Sequence, residues 1–408
     1  MTPLLLFAAL AAADTPAESA AALVARVQPA VEEIRGLKFK RPVAVRIATP
    51  AAARAHFAER ARSLWPEERA RLDQKVYEQL GLLPPGFDLL ASVLDLLEEQ
   101  ALGYYDPGSD QLTMVEGQAS SPLAPMLVAH ELTHALDDQH FDLDALLRAG
   151  ADDDDRGAAA AAVVEGSGTA VMTLFLTREV GGGRISMDAV MEMQKSEAKR
   201  AERLKAAPPV IQRGLLASYV LGMSFLLRGN PGRLLGGVPG ADLDRAFTDP
   251  PRTTEQILHP EKYWVEATRD VPAALVLPDL SKALGDGFAL RGRGNLGELE
   301  LASLAGAFSL SMDSPDVVWP ARWTNAAASG TAGDEFQHYA NGARSVTLLA
   351  TRWDTEGDAV EFQNGLTTVP RSRSYRAGRG VVILAGDDLG ARAERIAAAL
   401  LEHLALAE

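Results

Sequence analysis

His130 and His134 enclose the run His-Glu-Leu-Thr-His inside an apolar stretch, with Met126, Leu127, Val128 and Ala129 ahead of it and Ala135 and Leu136 behind. A stretch that apolar has to pack in a core. The two His and the Glu it carries there need partners, at a cost on the order of several kcal/mol for each left without one. On an α-helix, residues i and i+4 share a face, so His130 and His134 can present two imidazole nitrogens to one metal ion. Glu131, one residue along, sits beside such an ion rather than on it, where its carboxylate can take a proton from a bound water. With 7 His and 55 acidic residues, about half of them taken as Glu, in 408 positions, random order gives roughly 0.01 such pentads, so the run is read as a zinc site and not as a polar stripe.

A chain 47% hydrophobic and 23% charged is globular, and its 408 residues are enough for two or three domains. The net charge of -15 and the lack of any Lys/Arg cluster argue against a nucleic-acid partner. Cysteine is absent, which excludes a disulfide framework, a cysteine nucleophile, thiolate ligands and a lipid-anchoring Cys. Leu4 to Leu10 followed by Ala11, Ala12 and Ala13 predicts a signal peptide over 1–13 and an exported protein, periplasmic or extracellular, although Met1-Thr2-Pro3 supplies no Lys or Arg. That run is too short to span a bilayer, and no later segment reads as long and uncharged enough, so no stable membrane anchor is expected.

Periodicity predicts an α+β protein: a predominantly helical domain over 14–290 and a small α+β module over 291–408, with no linker marking the boundary. Helices are expected over Ala17–Ile34, from Pro50, from Trp65-Pro66 to Leu82, and over Leu89–Gln100, Ala158–Arg178, Met187–Lys205 and Ile211–Arg228. A β-hairpin is expected around Asp106-Pro107-Gly108-Ser109-Asp110, placed to flank the metal helix and to hold an extended peptide by main-chain hydrogen bonds. The four Asp from Asp152 to Asp155 read as a solvated loop leading into a helix, since they lack the spacing of a calcium loop. In the last hundred residues, Leu299–Leu310 reads as a helix, Ser345–Ala350 and Gly380–Ala385 as strands, and Asp354–Leu366 and Gly390–Leu406 as helices.

A catalytic zinc usually has three protein ligands. His140 would complete the metzincin register, but that register places a Gly three residues after the second His, and this chain has Asp137 there. Glu165, an acidic residue in the apolar run Ala162-Val163-Val164-Glu165-Gly166-Ser167-Gly168, is the favoured third ligand, with His140 the alternative. A glutamate from a second helix is the gluzincin arrangement, and Val128 to Ala135 with Asp138 resembles the metal helix of thermolysin-like peptidases. The chain departs from those enzymes at Thr169, where they place an Asp that orients a ligand His; Asp138 is the first alternative for that support. More of the chain resembles an uncharacterised bacterial family of H-E-x-x-H proteins, through Gly103–Pro107, His130–Phe141, Val164–Gly166, Thr254–Tyr263 and Trp353–Glu356. The resemblance implies a zincin-like metallopeptidase domain.

The function expected from these residues is zinc-dependent hydrolysis of peptide bonds in a peptide or protein substrate, with one zinc ion on His130, His134 and Glu165 and Glu131 as general base. His259 and Tyr263 are candidate donors to the oxyanion, with Tyr219 a third. The alternative is a non-catalytic secreted binding protein with structural zinc, against which Glu131 speaks, because a structural site needs no base beside its ligands.

Overall fold

The computed structural model describes residues 19–100, 103–118, 121, 124–270, 275–306, 314–366 and 369–406. The run expected to be a signal peptide lies outside them. The fold is α+β, with a helical N-terminal part. In chain order come α1 (Ala20–Arg35), β1 (Ala44–Ala48), α2 (Pro50–Leu64), α3 (Glu67–Leu80), α4 (Leu89–Gln100), β2 (Gly103–Asp106) and β3 (Gln111–Val115). They are followed by α5 (Ala124–Phe141), α6 (Leu143–Arg148), α7 (Asp154–Gly181), α8 (Met187–Ala206), α9 (Pro209–Leu226), α10 (Gly240–Thr248), α11 (Thr254–Leu258), α12 (Glu261–Trp264) and α13 (Ser281–Leu284). The C-terminal part holds β4 (Ala289–Gly294), α14 (Gly297–Leu304), β5 (Thr331–Asn341), β6 (Arg344–Trp353), α15 (Glu356–Gly365), β7 (Ser372–Ala377), β8 (Gly380–Gly386) and α16 (Arg392–Leu406).

Local chemistry sets many of these boundaries. Thr49 caps α2 by accepting from Ala52 N, with Pro50 as the first helical residue, and Asp153 caps α7 by accepting from Arg156 N. Thr355 and Asp358 form a reciprocal capping box that starts α15. Arg-free, apolar α5 has an unbroken buried run from Met126 to Asp137, so it can only be a central helix.

The hairpin forms as expected, with β2 antiparallel to β3, and β1 adds to the other side of β3 in parallel, giving the order β1-β3-β2. This small sheet packs with α1, α5 and α7 through Tyr105, Leu112, Met114, Leu132, Leu136 and Val171. The second sheet, ordered β4-β5-β6-β8-β7, is antiparallel throughout. One of its faces, carrying Phe336, Leu349, Val381 and Ile383, shares a core with α3, α4 and α9. Its other face is covered by α13 and α16. The C-terminal part is therefore packed onto the helical part.

α7 corrects one expectation. Its 28 residues are long and apolar enough, by length and composition, to cross a membrane, although 72% of the apolar window is buried inside the fold. The burial has a packing cause: α7 runs between α5 and α9, and its apolar surface meets them on several sides.

Polar contacts join the two parts at the N-terminus of α7, where Asn295 accepts from Asp155 N at 3.1 Å and donates to Asp153 Oδ1 at 2.7 Å. Asp155 accepts from the amide and the hydroxyl of Thr254, and Asp334 on β5 accepts from the amides of Leu296 and Gly297. Nearby, the Lys262 ammonium bonds Glu255, Asp270 and Asp354, which ties the Thr254–Tyr263 segment to the loop after β6. Burial pushes the Asp155 carboxyl up to about 8, against the two Thr254 bonds, and pushes Asp334 up to about 7. Asp155 in the folded chain keeps a proton that the unfolded chain releases near pH 4, so its contribution to stability is complete below that pH and is lost as pH rises towards 8. Asp155→Asn, which cannot ionise, should therefore gain in melting temperature relative to wild type between pH 5 and 9. A constant difference across that range would remove the assignment.

Candidate metal centre

α5 and α7 bring three of the expected residues to one point. His130 Nε2 lies 2.8 Å from His134 Nε2, and Glu165 Oε2 lies 3.4 Å from His130 Nε2 and 3.8 Å from His134 Nε2. Donors about 2.1 Å from a tetrahedral ion lie about 3.4 Å apart, so the three observed separations bracket the value that zinc requires. All three side chains are buried, and among the described residues the two imidazoles are the basic groups within 4 Å of Glu165. Oε2 of Glu165 and Nδ1 of His134 are buried without a hydrogen-bond partner. A dication suits this donor set, because it gives the orphaned carboxylate oxygen the positive partner that burial otherwise denies it.

The electrostatics agree. Burial holds His130 well below its usual range, helped by His134, and takes His134 down to about 3, so both imidazoles are neutral and able to ligate. Burial raises the Glu165 carboxyl well above the carboxylate range, and the neighbouring Glu131 adds to the rise. Glu131 is pushed up to about 8 by its own burial, opposed by the Tyr105 amide, which donates to Oε2 at 2.7 Å. The four groups thus form one electrostatic unit, with Glu131 beside the three-residue set and outside it.

The segment Glu165-Gly166-Ser167-Gly168 can be read residue by residue. A Cβ on Gly166 would come within 2.3 Å of Gly222 C, and one on Gly222 within 1.9 Å of Ala162 O, so the pair permits α7 and α9 to touch along their backbones. Ser167 donates to Asp137 Oδ2 at 2.6 Å. A Cβ on Gly168 would lie 2.6 Å from His130 Cε1 and 2.8 Å from Nδ1, and the Gly168 main chain hydrogen-bonds that imidazole. Gly168→Ala should accordingly displace the ring, lowering the affinity of this group for an added divalent metal about 10- to 100-fold, on the scale of changes in the groups that support a metal ligand. Competition against a chelating dye reads this, and unchanged affinity would refute the packing account.

Asp137, where the metzincin register has Gly, lies within α5 and is fully buried; its Oδ1 accepts from Arg35 Nε at 2.7 Å. Arg35 also pairs with Asp244 at 2.8 Å, so α1, α5, α7 and α10 are held by one polar knot. With no turn at Asp137, α5 continues through His140, whose Nε2 lies 2.9 Å from Lys38 O. His140 is not part of the three-residue group.

Other expected site residues lie elsewhere. His259 Nε2 is 2.9 Å from Glu298 Oε1, and the Tyr263 hydroxyl donates to Asp249 O at 2.7 Å. Neither lines the cleft beside His134 and Glu165, so the structure does not bring them to the site. The reason is local: their Pro-rich loop is spent on joining α11, α12 and α14. Tyr219, on α9, does reach the group, stacking on His130 with ring centroids 6.2 Å apart. Asp138 touches neither histidine; it accepts from the Tyr105 hydroxyl and from Leu143 N.

A narrow cleft leads to His134 and Glu165. Its walls are Phe57 and Leu64 of α2, the β2 residues Tyr104 and Tyr105, Leu143 and Leu147 of α6, and Val164. The wall is mostly apolar. His56 stacks on Tyr104 with centroids 4.6 Å apart, and Arg60 pairs with Asp144 at 2.6 Å, tying α2 to α6.

A family described as a domain of unknown function (DUF8575) matches residues 289–395. That span runs from β4 into α16 and contains none of His130, Glu131, His134 or Glu165. Comparison with curated proteins finds no match, and comparison with solved structures finds none.

Proposed function

We propose that the protein is a zinc-dependent peptide hydrolase of zincin type, acting on a peptide or protein substrate. The observation that carries the proposal is the buried convergence of His130, His134 and Glu165 from two helices, with a fourth ionisable group, Glu131, held beside them and outside the ligand set. His130, His134 and Glu165 would hold the metal, and zinc bound there supplies a Lewis acid that acidifies water and polarises a carbonyl. Glu131 Oε2 is occupied by the Tyr105 amide, which leaves Oε1 to accept a proton and later to return it to the leaving amine. Phe57, Leu64, Leu143, Leu147 and Val164 favour an apolar substrate side chain in the cleft and exclude water around it.

A structural zinc in a binding protein is the weaker reading, since Glu131 stands beside the ligands and a cleft reaches two of them. The test is cleavage of a pool of quenched-fluorescence peptides by zinc-reconstituted protein. Cleavage abolished by a chelator, restored by zinc and biased towards bonds flanked by apolar residues is expected. A zinc-loaded protein that cleaves nothing in the pool would favour the binding reading.

A further inference from the structure

Among the described residues β2 is the edge strand of its sheet, paired with β3 on one side. Alternate amides of such a strand point away from the ladder and, where buried, must find another acceptor. At Tyr105 that acceptor is Glu131 Oε2, at 2.7 Å. The same residue makes a second attachment to the same helix, because its hydroxyl donates to Asp138 Oδ2 at 2.8 Å. Glu131 and Asp138 are seven residues apart on α5, about two turns, and therefore share a face.

We infer that Tyr105 is a positioning residue for Glu131: it fastens β2 to α5 at two points on one face, fixing one carboxylate oxygen so that the other is aimed at the metal-binding group. The inference rests on the general-base role proposed above. The second attachment is itself braced. Asp138 Oδ1 accepts from Leu143 N at 2.8 Å, and Asp110, which lies 3.1 Å from the Tyr105 hydroxyl, is paired with Arg41. A chain of polar contacts thus runs from Arg41 through Asp110, Tyr105 and Asp138 to the start of α6. It also alters what the hairpin can do for an extended peptide, since the Tyr105 amide belongs to Glu131 and is not offered to a substrate backbone.

Tyr105→Phe keeps the ring and the strand and removes only the hydroxyl bonds, so it separates this role from packing. Two readouts apply. In metal-free protein, hydrogen exchange at residue 105, resolved by fragmentation mass spectrometry, should quicken by about 10-fold in Tyr105→Phe and also in Glu131→Ala, where the acceptor itself is gone. In zinc-loaded protein, Tyr105→Phe should lower kcat by about 10-fold on a quenched-fluorescence peptide while KM and zinc content stay unchanged, the lower end of what supporting groups contribute. Adding Tyr105→Phe to Glu131→Gln should then bring no further loss. Wild-type exchange at residue 105 in Glu131→Ala, unchanged exchange and kcat in Tyr105→Phe, or a fully additive loss in the double variant would each overturn the inference. Failure of the wild-type chain to hydrolyse any peptide would count against the proposed function alone, and the exchange experiment would still decide the positioning role.

Discussion

Glu131→Gln should retain its metal and lose about 10²- to 10⁴-fold in peptide hydrolysis, the usual scale of a positioned general base. The amide keeps the size of the side chain and an oxygen able to accept from Tyr105 N, so the fold and the hydrogen bond at 2.7 Å should both survive. It cannot take up a proton at neutral pH. The loss should therefore fall on kcat, with zinc per chain and melting temperature close to wild type. Wild-type turnover in Glu131→Gln would end the mechanism proposed here, whereas loss of zinc in that variant would move Glu131 from base to ligand.

Glu165→Gln should act on the metal itself. A neutral amide is a much poorer partner for a dication than a carboxylate, and Glu165 Oε2 is the carboxylate oxygen that sits with both imidazole nitrogens. Zinc affinity should drop by more than the roughly 10- to 100-fold that follows loss of a group merely supporting a ligand. His140→Ala should leave affinity near wild type, because the His140 imidazole contacts Lys38 O. Competition titrations on the two variants decide between them, and strong zinc loss in His140→Ala with none in Glu165→Gln would reverse the assignment.

The pentad was legible because the two demands on it, an apolar helix and convergent nitrogens, are both local to Met126–Leu136. The α+β class and the hairpin were legible for the same reason. What supports the site was not. Ser167 and Asp137 meet between α7 and α5, Gly166 meets Gly222 between α7 and α9, and Tyr105 reaches Glu131 from a strand, so no spacing within one segment reports these contacts. Two glycines inside an otherwise helical run next to Glu165 did carry a signal of close packing, since such residues cost helix stability unless a neighbour needs the space. β5 escaped notice because buried Asp334, Glu335, Gln337 and His338 interrupt any apolar alternation. Each finds a tertiary partner, among them Leu277, Leu296, Gly297 and Thr347, and such satisfaction cannot be read from the strand itself. His259 and Tyr263 misled for the converse reason: their side chains can donate hydrogen bonds, and the fold spends them on Glu298 and Asp249.

The central claim is that His130, His134 and Glu165 form one metal site. Elemental analysis of the purified full chain after zinc reconstitution and gel filtration tests it most directly. About one zinc per chain in wild type, and none in His134→Ala under the same treatment, is the expected result; a folded wild-type chain that emerges without zinc would contradict the account.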